Sequence, residues 1–122
     1  MCKVVEMNVD GKTIHVADIK QKYIRNIVDA AGKCDIIDRI MLFGSSTQSR
    51  CKDDSDIDLA IFGNQSEYKA LRSKQYDAFT DQLYNYDNSG QSYDLLYFAS
   101  NKKYSGRILE DIENGEMIYA RS

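Results

Sequence analysis

Apolar and polar residues alternate with a period of two at the start of the chain. Val5, Met7 and Val9 precede the pair Asp10-Gly11, and Ile14 and Val16 follow it. Because Asp-Gly favours the two-residue turns that join antiparallel strands, residues 4–16 predict a β-hairpin. We expect this hairpin, within residues 1–17, to be an appendage of a single domain that spans residues 1–122.

Apolar residues then recur every three or four positions in three segments, which predicts three helices. The first begins after Asp18, whose carboxylate can cap a helix, and ends near Gly32. The second covers Ser66 to about Asn88, where Asn88-Ser89-Gly90 stops it, and a short third covers 105–114.

Short apolar runs between these helices predict the strands of a sheet. They cover 39–43, 56–62, 92–99 and an extended segment at 117–119. Strands that alternate with helices in this way indicate an α/β (α+β) fold, in which a small mixed β-sheet carries helices packed on one side.

Composition narrows the functional classes. The chain of 122 residues has a formal net charge of −3 and a pI near 5.1, so we expect no direct binding to nucleic acid or to an anionic membrane. Three cysteines without a C-x-x-C pair favour a reducing cytoplasm, and a single histidine disfavours hydrolytic triads. No apolar stretch reaches the length that a membrane helix needs.

Two aspartates at the start of a predicted central strand carry the clearest chemical signal. Asp56 and Asp58 are two positions apart, so on a strand they point to the same face. Like charges held so close repel each other unless a cation lies between them. Carboxylate oxygens on a rigid strand suit Mg²⁺, which fills its remaining positions with water and substrate phosphate.

A phosphate cradle is expected immediately after the preceding strand. Gly44 lets the backbone approach a phosphate, while Ser45 and Ser46 offer hydroxyls and amides at the start of a turn or helix. Asp94 supplies a third carboxylate from a strand that could lie beside Asp56 and Asp58, which would complete a site for two metal ions. Asp94 is also the best candidate for a general base.

The order of these residues resembles a known family. Phe43-Gly44-Ser45, ten further residues, then Asp56-Ile57-Asp58-Leu59 and a later lone Asp94 are similar to the polymerase-β-like nucleotidyltransferase superfamily. More closely, residues 18–119 resemble its minimal nucleotidyltransferase (MNT) branch, many members of which are antitoxins paired with HEPN toxins.

The resemblance implies a magnesium-dependent transfer of AMP from ATP to a hydroxyl. It assigns nucleotide binding to Gly44, Ser45 and Ser46, and metal binding and catalysis to Asp56, Asp58 and Asp94. The acceptor that it implies is a tyrosine of a HEPN-type partner protein. Many relatives carry two arginines and a second glycine where this chain has Ser46, Gln48 and Ser49, so Arg50 and Lys52 are expected to supply the displaced charge.

Two other functions remain open from the sequence. The altered phosphate loop is compatible with a catalytically degenerate member that neutralises its partner by occlusion. Nucleotidyl transfer to a small molecule such as an antibiotic is the other alternative.

Overall fold

A computed structural model describes residues 2–87 and 90–121 of the chain. These residues form a two-stranded hairpin, a four-stranded sheet and four α-helices. In chain order the elements are β1 (Val4–Val9), β2 (Lys12–Ala17), α1 (Gln21–Gly32), β3 (Ile37–Phe43), β4 (Ile57–Gly63), α2 (Glu67–Ala70), α3 (Lys74–Tyr84), β5 (Tyr93–Ala99), α4 (Arg107–Glu113) and β6 (Glu116–Ala120).

The larger sheet is mixed, as the sequence predicted. Its strand order is β5-β4-β3-β6, with β4 and β5 parallel and the other two pairs antiparallel. A parallel pair needs a long crossover, which α2 and α3 supply. The predicted α+β fold class is therefore confirmed.

The two faces of this sheet differ in how they are covered. Ile57, Leu59 and Ile61 of β4 point into the main core, which α1 and α3 cover. Because successive side chains of a strand alternate, Ala60 and Phe62 point to the opposite face, where a smaller cluster forms under α4. The expectation of helices on one side thus holds for α1 and α3, whereas the short α4 packs on the other face through Leu109 and Ile112.

Two helix boundaries differ from the sequence prediction. Asp18 does not cap α1: it opens a 3₁₀ turn, its carboxylate accepts a hydrogen bond from the Lys3 amide, and α1 begins at Gln21. The single helix predicted from Ser66 is divided into α2 and α3, because the Ser73 hydroxyl accepts a hydrogen bond from the Tyr76 amide and so starts a new helix. The stop predicted at Asn88-Ser89 lies outside the described residues.

The hairpin contributes to the main core. Met7, Val9, Ile14 and Val16 point inward from β1 and β2 and are almost completely buried. Among residues 2–87 and 90–121, every helix is too short or too polar to cross a bilayer.

Candidate nucleotidyl-transfer site

The pairing of β4 with β5 brings two of the predicted acidic residues side by side. The register of the parallel pair matches Asp58 with Asp94 and Ile57 with Tyr93. Residues that are paired across neighbouring strands project to the same face, so both carboxylates lie on the α4 face of the sheet. Asp56 lies just before β4, where the exposed carboxylate accepts a hydrogen bond from the Ser92 hydroxyl.

The electrostatics of Asp58 reflect this concentration of acid. Partial burial raises the pKa of the Asp58 carboxyl, and the negative charges of Asp94 and Asp56 raise that pKa further, whereas Arg50 opposes the shift. Ionisation of Asp58 is therefore less favourable here than that of an isolated aspartate. A cation placed among the three carboxylates would relieve the repulsion.

Gly44 fits closely against Asp58. It follows directly after β3 and has a positive φ of 74°, a backbone conformation that favours glycine. A Cβ atom at this position would overlap the Asp58 carboxylate oxygen Oδ2. Glycine is thus required both for the turn and for the contact between this turn and the carboxylate.

A cavity of about 500 Å³ opens in front of Gly44 and Asp58. The Thr47 hydroxyl donates a 2.8 Å hydrogen bond to the Gly44 carbonyl, and the Arg50 Nε donates one to the Gln48 side chain, so the loop forms one wall. The lining residues are Phe43, Gly44, Thr47, Gln48, Arg50, Asp58, Asp111, Asn114 and Gly115. Of the three predicted acidic residues, Asp58 lines the cavity, whereas Asp56 and Asp94 are not among the lining residues. A polar cavity lined by the Arg50 guanidinium and by the carboxylates of Asp58 and Asp111 suits a nucleotide phosphate chain with its bound cation.

Arg50 was expected from the sequence to supply charge displaced from the loop, and it lines the cavity. Lys52, which was given the same role, is exposed and is not among the lining residues. Of the turn or helix expected after Gly44, the structure has a 3₁₀ turn over Gly44–Thr47.

The two serines of the predicted cradle point elsewhere. Ser46 is fully buried, and its hydroxyl has no hydrogen-bond partner within 2–87 and 90–121. The Ser45 side chain is a hydrogen-bond partner of Cys51, where it partly offsets the burial that raises the pKa of that thiol. Neither serine is among the residues that line the cavity. In this arrangement Gly44 is the member of the predicted nucleotide-binding set that faces the cavity.

Sequence reasoning missed one wall of the cavity. Asp111 lies on α4, and Asn114 and Gly115 follow that helix directly. The sequence shows only that a glycine, Gly115, follows the predicted third helix. In the structure, a Cβ atom at Gly115 would overlap the Leu42 carbonyl oxygen of β3. That close approach holds the end of α4 beside the Gly44 turn.

The acidic residues fit a divalent cation in chemistry and in charge. Asp56, Asp58 and Asp94 offer the carboxylate oxygens that Mg²⁺ prefers, and Asp58 carries the unfavourable charge that a cation would compensate. Across the described ranges, no three His, Cys, Asp or Glu side chains are already arranged to hold a metal ion. Metal binding would therefore require side-chain adjustment at these carboxylates.

Comparison with known proteins finds a match over the part of the chain that contains this site. The family model "Polymerase beta, Nucleotidyltransferase" matches residues 25–122, which include the whole four-stranded sheet and every residue that lines the cavity. No curated protein matches the chain in sequence. The family match supports nucleotidyl transfer, with a nucleoside triphosphate as substrate. The chain belongs to the polymerase β nucleotidyltransferase family.

Proposed function

We propose that this protein transfers AMP from ATP to a hydroxyl of a partner protein in a magnesium-dependent reaction, and that it acts in this way as an antitoxin. The single observation that carries the proposal is the pairing of Asp58, which lines a polar cavity beside Gly44, with the exposed Asp94 of the neighbouring strand. Paired carboxylates at the edge of a cavity that can hold a phosphate chain are the arrangement that phosphoryl chemistry needs.

Each side chain has a distinct role in this proposal. The Gly44 turn and Arg50 bind the triphosphate, and Asp56 and Asp58 are the metal ligands. Asp94 accepts the proton of the attacking hydroxyl as that oxygen bonds to the α-phosphorus and pyrophosphate leaves. Ser45 and Ser46 remain proposed nucleotide contacts through their backbone amides, since their hydroxyls face away from the cavity.

The metal would be held by Asp56 and Asp58, with Asp94 completing the set. Two Mg²⁺ ions, when bound, would neutralise the charge of the triphosphate and stabilise the attacking and leaving oxygens. The raised pKa of Asp58 supports this assignment, because the crowding of three carboxylates becomes favourable only when a cation is present.

The proposed acceptor is a tyrosine of a HEPN-type toxin. This choice rests on the resemblance of Gly44-Ser45, Asp56-Ile57-Asp58 and the later Asp94 to the minimal nucleotidyltransferase branch. Modification of such a tyrosine would block the toxin covalently, and the cytoplasm is the compartment that we propose for the pair.

The test is transfer of radiolabel from ATP labelled at the α-phosphate to a co-expressed HEPN-type partner. We expect Asp94→Asn to lower turnover by about 100-fold or more, with little change in the KM for ATP, since a general base contributes roughly 10²–10⁴-fold. Asp81→Asn, an exposed acid of α3, is the matched control and should transfer label like the wild type. Equal labelling of the partner by the Asp94 variant would refute the assignment.

A second function is favoured by one specific observation, namely that Ser45 and Ser46 turn away from the cavity. In this alternative the chain is a binding module that neutralises its partner by occlusion, without transfer. It predicts that the double variant Asp56→Ala, Asp58→Ala still inhibits the partner in the absence of ATP. Loss of inhibition by a folded double variant would exclude occlusion.

A further inference from the structure

Lys20 is the one charged side chain that is fully buried in the part of the chain that the structure describes, with 1% of its surface exposed. Its ammonium donates hydrogen bonds to the carbonyl of Asp53 at 3.1 Å, the carbonyl of Ser55 at 2.9 Å and the Oε1 atom of Gln91 at 2.6 Å. An ammonium has three donors and no acceptor, so three oxygen partners satisfy it completely.

The three acceptors come from two separate segments that lead into the two acidic strands. Asp53 and Ser55 lie in the loop before β4, which carries Asp58, and Gln91 lies just before β5, which carries Asp94. Lys20 itself lies at the start of α1, on a third element. One side chain thus joins the segments that immediately precede both strands.

Further hydrogen bonds extend this connection to the carboxylates. The side-chain amide Nε2 of Gln91 donates hydrogen bonds to the carbonyls of Ser55 at 3.0 Å and Ser92 at 2.7 Å. The backbone amide of Ile57 donates to the Ser92 carbonyl at 3.1 Å. The Ser92 hydroxyl in turn donates to Asp56. A displacement of Lys20 would therefore be transmitted to Asp56 through the Gln91-Ser92 segment.

We propose that Lys20 is a positioning residue of the proposed transfer site: its ammonium fixes the segment before β4 against the segment before β5 and so sets the placement of Asp56 relative to Asp94. This inference rests on the proposed function, because it assigns Lys20 to the same acidic site. Lys20 contacts neither nucleotide nor acceptor in this role and acts only through the strands.

The charge of Lys20 suits this place in the fold. Burial lowers the pKa of the Lys20 ammonium, while the negative charges of Asp53, Asp54 and Asp56 raise it. A buried cation without a salt bridge is costly unless its hydrogen bonds are satisfied and carboxylates lie nearby. A neutral side chain of similar length would take this donor away from the Asp53 carbonyl and from Gln91 Oε1, and would leave the Ser55 carbonyl with only the Gln91 side-chain amide.

The direct test is hydrogen–deuterium exchange of wild type, Lys20→Met and the control Asn26→Ala. Asn26 is a buried polar residue of the same helix, but it joins α1 to α3 through hydrogen bonds with Gln82. After correction for global stability, we expect about tenfold faster exchange in 53–58 and 91–94 of Lys20→Met, and no such local change in Asn26→Ala. If Lys20→Met does not fold, Gln91→Ala removes the 2.6 Å acceptor and should show the same local change.

The functional readout is binding of Mn²⁺, a paramagnetic substitute for Mg²⁺, in the presence of ATP. We expect Lys20→Met to weaken Mn²⁺ binding by about tenfold and to lower turnover with an unchanged KM for ATP. Losses of this size are typical when a residue that orients the metal-binding side chains is removed. Lys20→Arg should recover part of the affinity, since it restores the charge. Asn26→Ala should bind Mn²⁺ like the wild type.

The outcomes separate the two claims. Wild-type Mn²⁺ affinity and unchanged local exchange in Lys20→Met would overturn the positioning role and leave the proposed function intact. Absence of Mn²⁺ binding by the wild type itself would contradict the proposed function, and the exchange of 53–58 and 91–94 would then decide alone whether Lys20 holds the two strands together.

Discussion

Gly44 and Asp58 are matched to each other at the centre of the site. The glycine has a positive φ, and its open side is filled by the Asp58 carboxylate rather than by a side chain of its own. A sequence can show that a glycine precedes a serine. It cannot show that this glycine leaves room for an aspartate fourteen positions later.

Gly44→Ala is expected to lower stability and to abolish transfer. The φ of 74° costs alanine about 1 kcal/mol or more, and the added Cβ displaces the Asp58 carboxylate, so turnover should fall by more than tenfold. Gly11→Ala is the matched control, because Gly11 has a similar φ of 82° but nothing within 4 Å of its Cβ position. Chemical denaturation and label transfer measure both variants. Full activity in Gly44→Ala would show that the carboxylate does not need this contact.

Asp58 should make stability depend on pH in the absence of a metal ion. Burial and the charges of Asp94 and Asp56 raise the pKa of Asp58 in the folded protein, so the folded state holds its proton to higher pH than the unfolded chain. Stability from this group is therefore present below its unfolded pKa and is lost as pH rises through its folded pKa.

Asp58→Asn should consequently melt at a higher temperature than wild type at pH 7 without divalent ions. The difference should disappear below about pH 3.9, where the carboxyl is protonated in both states. Added Mg²⁺ should raise the melting temperature of the wild type and leave that of Asp58→Asn nearly unchanged. A wild type that is more stable than Asp58→Asn at pH 7 without metal would contradict this electrostatic account.

At the scale of elements, the acidic strands were predictable and the helices around them were less so. The alternation of residues 56–62 predicts β4. Asp94 can be placed on the same face of the sheet as Asp58 only when the register of β5 against β4 is known. The sequence does not contain that register, which depends on the crossover through α2 and α3. The second predicted helix is divided because Ser73 caps a new helix. A serine inside a helical pattern can equally face solvent, and the spacing of apolar residues does not distinguish the two cases.

Helix α4 forms the wall of the cavity through a single buried anchor. Ile112 is 1% exposed and packs with Met41, Phe43 and Ala60 under the helix. The pattern around it predicts a short helix, but seven residues do not specify which face of the sheet they cover. This is why Asp111 and Asn114 were missed as candidate site residues.

Ile112→Ala is expected to raise the KM for ATP several-fold by loosening the α4 wall, in addition to a loss of about 2–5 kcal/mol in unfolding free energy. Leu83→Ala, at an equally buried position of α3 in the main core, should lower stability similarly without changing the KM. The KM for ATP of the two variants is compared by steady-state kinetics at a temperature well below the melting temperature of either variant. An equal KM in both variants would show that α4 does not contact the nucleotide.

For the molecule as a whole, the N-terminal hairpin is the part whose role differs most between sequence and structure. The sequence predicts an appendage, and the family match begins only at residue 25. The apolar faces of β1 and β2 nevertheless lie in the main core. A period of two predicts strands but not what their buried face packs against.

Removal of residues 1–17 should therefore destabilise the entire protein. Four nearly buried apolar side chains contribute about 1.5–3 kcal/mol each, which is comparable with the total stability of about 5–15 kcal/mol of a small domain. We expect the shortened chain to lose its single cooperative thermal transition, as followed by circular dichroism. A transition at the wild-type temperature would show that the hairpin is a separable appendage.

The central claim is that Gly44, Asp56, Asp58 and Asp94 form one magnesium-dependent nucleotide site. Calorimetric titration with Mg²⁺ and a non-hydrolysable ATP analogue tests it most directly, with Asp58→Asn and Asp81→Asn measured in parallel. The account predicts saturable binding to wild type and to Asp81→Asn that requires Mg²⁺ and is lost in Asp58→Asn. Binding that is absent from the wild type, or that is equal in Asp58→Asn and independent of Mg²⁺, would contradict it.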